Sequence, residues 1–193
     1  CLYLTYTRVC KTFTEFNAPN VMFMMRCIVE MFQTDIVQAY QQGFLYIRQL
    51  ALHLRTTVMK KTSENIRLVT SWQFVNCLRL WTRVVSSLPG DDELGALAFP
   101  VSQIIYGVMA VAQSVYLLPL RFHLVGCLHI LAANCKLFVP TAHKLLEVLE
   151  LPDLLQAKAT PSTDVPPRLQ YSVKLPTGSV TRASVRDLIV EET

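Results

Sequence analysis

At 193 residues the chain is long enough for one domain with a sizeable core. With 52% hydrophobic and only 17% charged residues it is neither disordered nor an ordinary freely soluble surface, which carries roughly 25% charge. The net charge of +4 is uneven: residues 1–90 hold ten Lys/Arg against four Asp/Glu, and residues 91–193 hold eight against ten. The first half therefore faces something anionic, or simply carries a solvated basic surface.

The chain opens in what reads as the end of a helix, Cys1–Lys11, as in part of a longer protein, and shows no signal-peptide pattern. Thr12–Asn20 reads as a loop containing Pro19, and Val21–Phe32 as an apolar helix. Thr34 supplies an N-cap and Asp35 a first-turn acid, and the helix behind them runs to about Met59 with Ile36, Tyr40, Gly43, Ile47, Leu50, Leu54 and Val58 on one face. Phe44, Leu45 and Leu52 form a second apolar edge, and Gln41, Arg48 and Arg55 repeat every seven residues on a polar side. After the basic connection Lys60-Lys61-Thr62-Ser63, one helix is predicted from Ser63 or Glu64 to about Ser87. Its stripe is Ile66, Thr70, Phe74, Cys77, Trp81, Val84 and Leu88. Pro89-Gly90 stops it, and Asp91-Asp92-Glu93 favours a new helix start through the dipole.

Leu94–Leu120 holds no charged residue, which raises the possibility of a membrane span. Pro100 and Pro119 divide it and Gln103 and Gln113 interrupt it, so it reads as two core helices, about Pro100–Ser114 and Leu118–Asn134, each with proline near its first turn. Pro140–Leu149 is a further helix. Pro152, Pro161, Pro166 and Pro167 mark a linker, Arg168–Leu175 alternates as a short strand or extended arm does, and Ser184–Glu192 forms a last helix. The expected organisation is a helical domain over 1–151, a Pro-rich linker over 152–168 and a C-terminal arm over 169–193. Six or so similar helices, several apolar on more than one face, suggest a stacked array, with a closed helical bundle as the alternative.

The chemistry of a site is sparse. There is no Gly-rich phosphate loop and no Gly-x-Ser-x-Gly elbow. The six cysteines form no Cys-x-x-Cys pair and sit in apolar helical contexts, as free thiols of a reducing compartment do. His123, Cys127 and Cys135 have partial zinc spacing on one helix, but no fourth ligand is near, and core packing accounts for them better. His53 and His143 stand alone on polar faces, and Cys77 lies inside an apolar stripe without an electropositive setting. No catalytic residues, metal or cofactor are expected. Arg48, Arg55, Lys60, Lys61, Arg67, Arg79 and Arg83 are the candidate RNA contacts, holding phosphates without reading sequence. Against this stands a solvated face held by ion pairs.

Several blocks in register resemble the nucleolar complex protein 2 family. They are Ala39–Arg55 (AYQQGFLYIRQLALHLR), Ser71–Ser86 (SWQFVNCLRLWTRVVS), Phe99–Gln103 (FPVSQ), Leu118–His123 (LPLRFH) and the tail from Leu169 to Glu192. Phe99 and Leu118 depart from the family's usual tyrosines. The resemblance implies an all-α, HEAT/armadillo-like helical repeat, an α-solenoid with an extended C-terminal arm. It implies a non-catalytic scaffold in large ribosomal subunit (pre-60S) assembly and intranuclear transport, in the nucleolus and nucleoplasm. Its partners would be another nucleolar complex protein, in a heterodimer, and the pre-60S particle with its rRNA, with no membrane and no small-molecule substrate. The alternatives are a helical-repeat adaptor for transport or coat assembly that never touches RNA, and a membrane protein built on Leu94–Leu120.

Overall fold

The computed structural model describes residues 2–88, 92–135, 138–149, 167–179 and 182–192, and all the regular structure there is helical, with no β-strand among the described residues. Pro89, Gly90, Asp91 and residues 152–166 of the expected linker lie outside the described residues.

The chain begins with α1 (Leu2–Val9) and turns into α2 (Ala18–Thr34), which starts three residues before the expected Val21. Proline is compatible with this earlier start because the first-turn N–H groups have no intrahelical partner. Asn17 ties the turn instead: its Oδ1 accepts from the Thr14 amide at 2.7 Å and its side-chain amide donates to the Thr12 carbonyl at 3.0 Å. A single residue then separates α2 from α3 (Ile36–Met59). That residue is Asp35, whose carboxylate caps the Gln38 amide at 2.9 Å; the cap falls one residue after the expected Thr34, which is the last residue of α2.

The helix expected from Ser63 to Ser87 is broken into α4 (Ser63–Val69) and α5 (Trp72–Ser86). Thr70 and Ser71 cause the break. Thr70 Oγ1 donates back to the Ile66 carbonyl, Ser71 Oγ donates to the Leu68 carbonyl, and Ser71 accepts from the Phe74 amide as the new N-cap. Such hydroxyls offer the backbone a local alternative to the helical ladder. A one-turn helix α6 (Asp92–Gly95) follows, then α7 (Ala98–Val111) and α8 (Leu118–Cys135), the latter led by a 3-10 turn at Val115–Leu117. Both carry proline in the first turn, as expected. By length and composition Glu93–Val111 and Val115–Cys135 could each cross a membrane, yet 50% and 56% of these windows are buried against the rest of the chain. Helices α9 (Ala142–Leu149) and α10 (Ala183–Glu192) complete the order.

Helix α5 is the centre. It touches α1, α2, α3, α4, α6, α7 and α8. It is buried nearly all round, from Phe74 to Ser86, with Arg79 and Arg83 as the breaks. Its contacts thus reach beyond the elements that immediately precede and follow it in the chain. Fully buried Trp81 is enclosed by Tyr3, Phe32 and Tyr46 at centroid distances of 5.5, 5.6 and 5.9 Å, an aromatic cluster that adds to simple area burial. Gly43 of α3 admits this ring: a Cβ there would stand 3.0 Å from Leu97 Cδ1 and 3.4 Å from the indole.

Buried polar groups fasten α1 to α5. Tyr6 Oη donates to the Asn76 carbonyl at 2.9 Å, the Asn76 amide donates to the Cys10 carbonyl at 3.2 Å, and the Gln73 amide donates to the Thr7 carbonyl at 2.9 Å. The segment expected as a short strand or extended arm forms a 3-10 turn at Leu169–Tyr171 followed by extended Ser172. Among the described residues no strand lies beside it to complete a ladder. Its alternation serves two cores: Leu169 and Leu175 enter a small cluster with Val115, Leu118, Val185 and Ile189, while Tyr171 and Val173 lie on the main one. The Leu175 amide donates to the Tyr116 carbonyl at 2.7 Å, and Arg168 pairs with Glu15.

Candidate nucleic-acid and partner surfaces

The seven basic residues singled out in the sequence separate into two groups. Arg48, Arg55, Lys60, Lys61 and Arg67 are exposed on α3, on the α3–α4 turn and on α4. The turn is rigidly made. The Lys60 amide donates to the Thr56 carbonyl, Asn65 Nδ2 donates to the Lys60 carbonyl at 2.9 Å, and Thr62 caps the Asn65 amide. Both lysine side chains are therefore presented from an ordered backbone. None of the five forms an ion pair among the described residues.

At 100° per residue, Leu45, Leu52, Met59, Arg48 and Arg55 fall on one continuous strip of α3. The structure leaves all five exposed, Met59 at 77%. The sequence reading set the apolar edge and the basic repeat apart, but on the folded helix they are one interleaved surface. The expected core stripe holds at Gly43, Ile47, Leu50 and Leu54 and slips at its end, where Val58 is exposed and Thr57 is buried. Thr57 tolerates this because its hydroxyl lies 2.9 Å from the His53 carbonyl and 3.3 Å from the Asn65 carbonyl.

Arg79 and Arg83 line a different feature, a cleft of about 700 Å³ between α2 and α8 that none of the other five borders. Arg79 is largely enclosed. Its guanidinium lies 5.3 Å from the Phe13 ring centroid and 5.5 Å from that of Trp72, and donates to Asn76 Oδ1 at 3.3 Å. Burial pushes its pKa below the usual arginine value, with no carboxylate paired to it among the described residues to offset the cost. Arg83 is exposed on the same wall, beside Arg26 of α2.

His123 sits at the end of this cleft. Its ring packs on Trp72 at 5.2 Å and its Nε2 donates to the Ser172 carbonyl at 2.9 Å. Burial, helped by the nearby Arg79 charge, lowers its pKa to about 4, so the ring is neutral at physiological pH. Cys127 is buried one turn on and Cys135 half-buried; among the described residues no three His, Cys, Asp or Glu side chains gather as metal ligands. Cys77 is buried beneath Tyr3, whose Oη is 3.9 Å from its sulfur.

His143, expected alone, belongs to a small network that the sequence reading missed. Glu147 accepts from Lys144 at 2.7 Å, His143 at 2.9 Å and Arg121 at 3.0 Å, and Lys144 above all holds its carboxyl below the usual range. His143 and Glu147 are four apart on a helix, which is a readable signal; the buried Arg121 partner, 26 residues away, is not.

The family model described as the Noc2p family matches residues 1–193. Among curated proteins, the chain is 34% identical over 191 residues to Nucleolar complex protein 2 of Drosophila melanogaster, covering 99% of this chain and 25% of that protein. It is 37% identical over 153 residues to Nucleolar complex-associated protein 2 of Arabidopsis thaliana, covering 79% and 20%. To the Nucleolar complex protein 2 homolog of Caenorhabditis elegans it is 31% identical over 179 residues, covering 90% and 24%. The chain thus spans a quarter or less of the length of these relatives.

Proposed function

The chain belongs to the Noc2p family, and from that premise we propose that it is a non-catalytic helical scaffold for assembly and intranuclear transport of the large ribosomal subunit. It works in the nucleolus and nucleoplasm, in a heterodimer with another nucleolar complex protein and on pre-60S particles, as part of a HEAT/armadillo-like array. The relatives' names place them in nucleolar complexes. The observation that carries the RNA part of the reading is the ordered ridge of Arg48, Arg55, Lys60, Lys61 and Arg67, exposed and without an acidic partner among the described residues. Unpaired cations on a rigid helix hold phosphates at little further entropic cost, independently of base sequence. Leu45, Leu52 and Met59, interleaved with them, supply apolar area for the protein partner.

The test replaces Arg48, Arg55, Lys60 and Lys61 together by alanine in the full-length protein and measures binding to precursor rRNA across a salt series. Loss of four phosphate contacts lowers the slope of log affinity against log salt by about 3. An unchanged slope assigns the RNA contact elsewhere. In gradients of nuclear extract, the variant sediments less with large-subunit precursors than the wild type does.

A further inference from the structure

The cleft between α2 and α8 continues into a second cavity of about 560 Å³, the two sharing Arg26, Arg83 and Ile130. Together they form a groove walled by α2 from Ala18 to Gln33 and by α8 from Phe122 to Asn134, with α5 as its floor. At 1.5 Å per residue those walls run about 20 Å, or close to four helical turns.

From this groove we infer a docking site for an amphipathic α-helix that carries carboxylates near its middle. Three observations support that occupant. The first is charge: Arg26 and Arg83 stand where the two cavities join and Arg79 lines the larger one, and among the described residues no carboxylate lines the larger cavity or pairs with these arginines. Arg79 is pre-positioned by Phe13, Trp72 and Asn76, so a carboxylate meeting it does not have to order a free side chain. The second is the walls, where Met22, Met25, Cys127 and Ile130 present aliphatic and sulfur-bearing surface suited to helix anchors spaced three or four apart. The third is Gly126, midway along α8. It is exposed, and a Cβ added there would meet nothing within 4 Å, so the wall is lowest where a partner backbone would approach.

Single-stranded RNA fits less well. Glu30 borders the second cavity, where a polyanion following the groove would pass. The groove is bordered by none of Arg48, Arg55, Lys60, Lys61 and Arg67, so this inference does not depend on the RNA ridge.

The test uses full-length protein and a capped, fluorescent 14-residue helix of leucine, alanine and central glutamates, with a glutamine-substituted version as control. The glutamate helix is expected to bind at least tenfold more tightly than the glutamine one. Arg26→Gln with Arg83→Gln removes that difference. Gly126→Trp fills open space, so it abolishes binding while circular dichroism and melting temperature stay at the wild-type values. The alanine variant of Arg48, Arg55, Lys60 and Lys61 binds the helix as the wild type does. Equal binding of the two peptides, full binding by the Gly126→Trp protein, or displacement of the helix by an equimolar ten-nucleotide oligouridine would each overturn the assignment.

Discussion

Arg79 stands with its guanidinium carbon 5.3 Å from the centre of the Phe13 ring, so a residue of the central helix is held by the loop that joins the first two helices. The contact also covers Trp72, giving the cation two aromatic partners in place of a carboxylate. An ammonium group cannot reproduce a planar stack. Arg79→Lys is therefore expected to lower the unfolding free energy by about 1 kcal/mol, read as a lower urea midpoint at unchanged slope.

Acid sensitivity follows from His123. Its pKa is about 4 in the folded protein against an ordinary 6.5, because burial disfavours the charged ring. The sign is that of a depressed pKa: above pH 6.5 the ring is neutral in both states, and as pH falls from 6.5 to 4 only the unfolded chain takes up the proton. Stability drops over that window by about 3 kcal/mol from this group alone. His123→Phe keeps a ring against Trp72 and removes the titration, so its melting temperature is expected to vary less between pH 7 and pH 4 than the wild type's. An equal acid-induced fall in both proteins would contradict the assignment.

Gly107 allows α7 to approach α3. A Cβ at this position would lie 2.5 Å from Leu54 Cδ2, inside the core. Gly107→Val must displace Leu54 and is expected to cost about 2 kcal/mol by overpacking, seen as a lower melting temperature. Leu54→Ala in the same background should recover part of that loss, since it removes the clashing atoms.

Asn76 is fully buried and serves three groups: it donates to the Cys10 carbonyl, accepts from Arg79, and its own carbonyl accepts from Tyr6. Asn76→Ala leaves the Cys10 carbonyl without its donor and is expected to cost roughly 2 kcal/mol. Amide exchange would show the loosening first in α1, because that is the helix these bonds secure.

The helices were legible where local signals governed them. Pro100 and Pro119 in first turns and the Gly43–Leu54 stripe are read from spacing alone, and the folded chain keeps them, while the cap before α3 moves from Thr34 to Asp35. The break at Thr70-Ser71 escaped because the apolar stripe runs across it unbroken, and only the hydroxyl hydrogen bonds reveal that the ladder stops. The alternation at Arg168–Leu175, read as a short strand or extended arm, puts Leu169, Tyr171, Val173 and Leu175 on one face; in the folded chain Leu169 and Leu175 join one cluster while Tyr171 and Val173 pack on the other, a split that depends on tertiary neighbours. Among the candidate contacts, the exposure of Arg48, Arg55 and Arg67 follows helical phase, and that of Lys60 and Lys61 follows from their place in the turn between α3 and α4. The enclosure of Arg79 depends on Phe13, 66 residues earlier, and no periodicity within α5 conveys it. The groove is invisible in sequence because its walls belong to α2 and α8 and only tertiary packing sets them side by side.

The tail from Arg168 to Leu175 closes onto the opening of the described chain, through Arg168 with Glu15 and Tyr171 against Phe13 at 6.0 Å. These contacts join residues up to 153 positions apart. During synthesis at about 5–20 residues per second, the Phe13 loop must therefore wait on the order of 10–30 seconds for its partner to be made. Through that interval Phe13 lacks the Tyr171 ring against it, so this face of the loop between α1 and α2 is among the last parts of the core to close.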